Sequence, residues 1–148
     1  MPDRFLLDTN ILVYAAFEND SFYPAAKVLR DKAVKGEIKA CISPQNLAEF
    51  YSIVTSKKRV TSPISPASAK EEIRKYLNAQ GISKIYIKDT TPLLMAKLAE
   101  EHKITGQDIY DVLLLATMMD NKIKGIYTAN DKDFKKYAEI AVINPFLP

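Results

Sequence analysis

The residues of this chain whose types and placement could do chemistry are carboxylates: Asp8, Glu49, Asp108, Asp111, Asp131 and Asp133. They come from four separate stretches, and strand-end logic could bring them to one edge of a sheet. Carboxylates that converge without a basic partner repel one another, so they stay ionised together only if positive charge sits among them. A hard divalent cation meets that need, and oxygen-only ligation selects Mg²⁺ or Mn²⁺ over zinc or copper. Such ions bind phosphate oxygens and lower the pKa of a bound water, so phosphodiester hydrolysis is the chemistry this set implies. Each acid also has a plain structural role when taken alone. Asp8 suits a turn or helix N-cap, Asp108 an N-cap, Asp111 and Asp131 a helix N-terminus, and Glu49 a solvated helical position. Asp111 fits its plain role worst, because at helical spacing it shares a side with Leu114, Leu115 and Met118. An unpaired carboxylate there costs several kcal/mol unless a cation faces it.

Rare residues exclude other chemistry. Cys41 is the single cysteine and lies in an apolar stretch, which leaves no internal disulfide and no cysteine cluster for zinc, and reads as buried strand filler. His102 is the single histidine, in the run Glu100-Glu101-His102-Lys103, so mechanisms needing two imidazoles are out. With 4 glycines and neither phosphate-loop motif, nucleotide-cradling loops are absent from the sequence. The net charge of +3, from 21 basic and 18 acidic residues, permits an anionic partner without requiring one. Lys27, Arg30, Lys32 and Lys35 recur at helical spacing as a solvated face, whereas the denser Lys57-Lys58-Arg59 suits nucleic-acid contact and mere solubility equally.

The elements that must position these acids read as α/β. A chain of 148 residues with 47% hydrophobic and 26% charged residues is one ordinary globular domain's worth of sequence. Strands are predicted at Phe5–Leu7, Ile38–Ile42, Ile85–Ile87, Gly125–Tyr127 and Ala141–Ile143. Between them, helical spacing predicts a helix after Asp8, then helices over Tyr23–Val34, from Ser43-Pro44, over Ala67–Ala79, from Thr91-Pro92, and over Asp108–Asp120. The last is apolar nearly all round and should be buried on most sides. Strands separated by helices argue for a mainly parallel sheet of about five strands flanked by helices. No apolar run approaches a membrane span, and the N-terminus does not read as a signal peptide, so a cytoplasmic protein is expected.

Four blocks then carry a resemblance. Leu7-Asp8-Thr9-Asn10-Ile11-Leu12, Pro44-Gln45-Asn46-Leu47-Ala48-Glu49-Phe50, Tyr110-Asp111-Val112-Leu113-Leu114-Leu115-Ala116 and Ile126-Tyr127-Thr128-Ala129-Asn130-Asp131-Lys132-Asp133-Phe134 are similar, in order and spacing, to the motif blocks of PIN domains. The resemblance spans residues 1–148 as a single PIN-like domain. It implies a divalent-metal-dependent endoribonuclease, most similar to the VapC-type toxins of toxin-antitoxin pairs, with Mg²⁺ or Mn²⁺ as cofactor. Carried onto matching positions, it assigns Asp8, Glu49 and Asp111 to the acidic site, with Thr128 as the hydroxyl residue beside it. Asn130 stands where the commonest pattern, T-x-D, has an acid; the variant T-x-N-x-x-D-F makes Asp133 the fourth acid over Asp131. On this reading Asp8 and Asp111 ligate the principal metal, while Glu49 and Asp133 act through water or a second ion. Lys57, Lys58 and Arg59 draw the RNA phosphates. The resemblance further implies a homodimer and a cognate antitoxin protein.

Asn130 also motivates a different class of function, a PIN-like scaffold that binds RNA or protein without cutting. A phosphatase with Asp8 as nucleophile ranks behind both, since the second acid of the usual D-x-D pair is Asn10 here.

Overall fold

The computed structural model describes residues 3–147. Five strands, β1 (Phe5–Leu7), β2 (Ala40–Ile42), β3 (Ile82–Lys84), β4 (Gly125–Tyr127) and β5 (Ala141–Ile143), form one sheet in the order β3-β2-β1-β4-β5. All four pairings are parallel, with Leu6 beside Cys41 and Ile126 in the central register. The first strand is therefore central, with its carboxyl end between those of β2 and β4.

Alternation along these strands builds two cores. Leu6, Cys41 and Ile126 face one layer with Val112, Leu114 and Leu115; Leu7, Ala40 and Ile42 face the other with Ile11, Phe50 and Val54. The second layer holds α1 (Thr9–Tyr14), α2 (Tyr23–Val34), α3 (Pro44–Val54) and α4 (Pro66–Asn78). The first holds α5 (Thr91–Glu101), α6 (Ile109–Asp120) and α7 (Asp131–Phe134). A parallel sheet covered on both faces explains why its strands read as continuous apolar runs. The single cysteine, Cys41, is buried in β2 as expected.

Helix starts follow the sequence signals. Ser43 caps α3 with Pro44 next, and Ser65 with Pro66 repeats the device at α4, starting that helix at Pro66 rather than Ala67. Gly36, at φ 75°, takes the left-handed conformation that ends α2. The sixth helix is buried at Val112 and from Leu114 through Met118, as its composition predicts. Asp108 occupies the expected N-cap position of α6, at the end of a 3₁₀ turn, Gly106–Asp108, but its side chain makes no capping bond.

The third strand departs from the expected Ile85–Ile87. Gly81 packs so tightly that a β-carbon there would lie 2.3 Å from the Val34 carbonyl, and the chain passes straight from that contact into β3 at Ile82. Ile85 still donates its amide to the Ile42 carbonyl at 2.9 Å and is buried, but Tyr86 and Ile87 leave the sheet and are 56% and 55% exposed. Likewise β2 is confined to Ala40–Ile42 of the expected Ile38–Ile42.

Candidate active site

The carboxyl ends of β1 and β4, the middle of α3, the first turn of α6 and the short α7 meet at one cleft of about 900 Å³. Asp8 follows β1 directly and serves as the N-cap of α1, so its plain role and its place in the site coincide. Its Oδ1 accepts the Thr9 amide at 2.8 Å, and its Oδ2 accepts the Thr128 hydroxyl at 2.7 Å and Asn10 Nδ2 at 3.3 Å. Thr128 Oγ1 itself accepts the Asn130 amide at 2.9 Å and Asn10 Nδ2 at 3.2 Å, so its one proton is committed to Asp8. This ring of donors fixes the carboxylate in a site where Asp8 is only 7% exposed.

Glu49 reaches the same cleft from α3. Its Oε2 accepts the Thr9 hydroxyl at 2.9 Å, and its Oε1 accepts Gln45 Nε2 at 3.1 Å. Thr9 Oγ1 accepts Asn46 Nδ2 at 3.3 Å, while Asn46 closes a capping box with Ser43. Asp111, half-buried in the first turn of α6, and Asp133, exposed on α7, complete the lining acids with Glu18 and Asp20. Among the described residues, six carboxylates line the cleft against one cation, Arg59.

Burial first, and that imbalance second, shift the pKa values of Asp8 and Asp111. Burial, opposed by the Thr128 and Thr9 hydrogen bonds and reinforced by the charges of Glu49 and Asp111, pushes Asp8 up to about 6. Burial likewise raises Asp111, helped by the neighbouring charges of Asp133, Glu49 and Asp108. Neither acid has a salt bridge among the described residues. An all-oxygen donor set, partly desolvated and short of positive charge, suits a hard divalent cation.

The structure thus brings Asp8, Glu49, Asp111 and Asp133 together, with Thr128 buried beside Asp8 and Asn130 on the cleft wall. Asp131 is engaged elsewhere: its oxygens accept Asn144 Nδ2 at 3.1 Å and pair with Lys135 Nζ at 3.0 Å, bonds that hold its carboxyl below the usual range. Of the basic trio, Arg59 lines the cleft, whereas Lys57 and Lys58 are exposed and do not. A separate group, Glu101, His102 and Glu139, offers ligand atoms within 4.8 Å of one another at the end of α5. There His102 already pairs with Glu139 at 3.0 Å and packs edge-on against Tyr137, so its place is structural. Reasoning from sequence missed Thr9, Asn10, Gln45 and Asn46 as parts of the site. The Ser43-Pro44 helix start is the one signal in this stretch, and nothing in it points to Asn46 or onward to Thr9.

A PIN domain family model matches residues 5–140, and the chain belongs to that family. Among curated relatives it is similar to ribonuclease VapC48 of Mycobacterium tuberculosis, 23% identical over 139 residues that cover 94% of this chain and 95% of that one. Its fold is shared with the crystal structure of Mycobacterium tuberculosis VapC20, a sarcin-ricin loop cleaving toxin, at TM-score 0.68 and 15% identity over 95% of this chain and 99% of the other. It is also shared with VapBC2 from Rickettsia felis bound to promoter DNA, at TM-score 0.66 and 20% identity over 95% and 98% of the two chains.

Proposed function

We propose that this chain is a divalent-metal-dependent endoribonuclease, the toxin of a VapBC-type pair, with residues 1–148 forming one catalytic unit. The observation that carries the reading is the convergence of Asp8, Glu49, Asp111 and Asp133, from four elements, on a cleft with one lining cation. Membership of the PIN family and similarity to VapC ribonucleases support it. Asp8 and Asp111 hold Mg²⁺ or Mn²⁺, which when bound supplies positive charge toward phosphate oxygens and lowers the pKa of water. Glu49, fixed at both oxygens, and Asp133, free on the rim, orient the attacking water and take its proton. Thr128 and Asn10 keep the Asp8 carboxylate turned to the cleft. Arg59 draws the RNA backbone to the cleft, Asn130 lies along its path, and Lys57 and Lys58 add longer-range attraction.

The cognate antitoxin is a protein that covers this cleft, and the active form is a homodimer; a toxin-antitoxin complex from Klebsiella pneumoniae shares this fold. The cytoplasm is the proposed compartment, and among the described residues no helix is long and apolar enough to cross a membrane. A second reading, a PIN scaffold that binds RNA or protein without cutting, draws on Asn130 at the usual acidic position. One experiment separates them. Purified protein is expected to cleave RNA with Mn²⁺, to stop with chelator, and to stop in Asp8→Asn and Asp111→Asn. Saturable RNA binding that needs no Mn²⁺, with cleavage equal in wild type and Asp8→Asn, would favour the scaffold and refute the nuclease.

A further inference from the structure

Glu49 and Asp111 sit on helices from different layers. The third helix packs with Leu7 and Ile42, the sixth with Leu6 and Cys41, so the sheet lies between their cores and no shared core fixes the gap above its edge. Among the described residues, one hydrogen bond joins α3 to α6: Gln45 Nε2 donates to the Tyr110 carbonyl at 3.0 Å. The same nitrogen donates to Glu49 Oε1 at 3.1 Å. Both partners are acceptors only, so the amide end, not the carbonyl end, must face them. Tyr110 immediately precedes Asp111, so the bond anchors the turn that carries that acid. On its other side Glu49 is held by Thr9, whose hydroxyl accepts from Asn46 and therefore gives its proton to Glu49. Glu49 is thus clamped between α1 and a strap to α6.

We propose that Gln45 is a positioning residue for the acidic site: its side-chain amide straps the two layers together across the sheet edge and sets the spacing of Glu49 from Asp111. The inference rests on the metal-dependent reading above and extends it to a residue outside the acidic set. The physical basis is twofold. A ligand such as Asp111 whose helical turn is already tied down costs less to order when a cation binds, and donors behind a ligand set, with the neighbouring Glu49 held in place, control affinity as well. Without the amide, Glu49 keeps one tether, and the first turn of α6 loses its tie to α3.

The test uses the full chain, with Gln45→Met, which keeps length and apolar bulk but removes both donors, and Gln45→Ala in parallel. In calorimetric titration with Mn²⁺, both variants are expected to bind on the order of 10- to 100-fold more weakly than wild type while remaining fully folded by circular dichroism. In the metal-free protein, backbone amides of residues 112–115 are expected to exchange hydrogen faster in both variants than in wild type. Affinity within about twofold of wild type, where a tenfold change is the lower expectation, overturns the positioning role. Unchanged exchange in both variants overturns the strap itself. If wild type gives no Mn²⁺ heat that Asp8→Asn abolishes, the metal reading fails separately and takes the positioning role with it, while exchange still decides whether Gln45 ties the layers.

Discussion

Removing metal should make the stability of this protein fall as pH rises, the reverse of ordinary acid denaturation, and Asp8 is the reason. Its carboxyl titrates at about 6 in the fold against an ordinary 3.8, with burial as the leading cause. A folded-state value above the unfolded one means that the native protein holds a proton the unfolded chain has released. The stabilising contribution is complete below 3.8 and is lost as pH climbs through about 6. The gap between the two values corresponds to about 3 kcal/mol. Asp111 moves in the same direction and adds to the loss. The assay is urea unfolding in chelator at a series of pH values from 4 to 8, with wild type beside Asp8→Asn, whose amide cannot titrate. Between pH 4 and pH 7 wild type should lose about 2.4 kcal/mol more than the variant, since part of the effect is already gone at pH 4. Saturating Mn²⁺ at pH 7 should restore wild type by about 3 kcal/mol at a hundredfold excess over Kd, and should do far less for the variant. Parallel stability curves for the two proteins would show that Asp8 is not the titrating group and would refute the account of the site as a cluster awaiting a cation.

Two further outcomes follow from where side chains lie. Asp133→Asn should depress Mn²⁺-dependent cleavage while leaving urea stability unchanged, whereas Asp131→Asn should lower stability, through its Asn144 and Lys135 partners, with cleavage retained. The reverse pattern would return the fourth acidic position to Asp131. Arg59→Ala should weaken RNA binding and reduce the slope of log affinity against log salt by about 1, and Lys57→Ala and Lys58→Ala should each change that slope less, because only Arg59 lines the cleft.

Much of the site could be read before the fold because its residues violate local expectation. Asp111 is a charge set among Leu114, Leu115 and Met118, and burial on α6 turns that misfit into a raised pKa. Asp8 was legible because a short apolar run ends on a residue that both caps a helix and accepts hydrogen bonds. Where local chemistry is ambiguous the reading slips. Ile85-Tyr86-Ile87 looks a better strand than Ile82-Ser83-Lys84, yet pairing with Ala40–Ile42, set by the tight passage at Gly81, chooses the latter. The trio Lys57-Lys58-Arg59 shows no sequence preference among its members, and only the course of the loop gives Arg59 the cleft. Gln45 was invisible as a functional residue because its partner is a backbone carbonyl 65 positions away, which no side-chain pattern announces.

Asp8 stands near the start of the chain, and the Thr128 hydroxyl that orients it stands 120 residues later. A ribosome therefore makes Asp8 long before the hydroxyl that orients it, and the acidic cleft can assemble only after Thr128 and Asp133 have followed. Fragments abandoned midway carry Asp8 and Glu49 but neither Thr128 nor Asp133. A chain interrupted before Thr128 consequently lacks the hydrogen bond that orients Asp8, and the cleft is whole only once all of its contributing stretches are present.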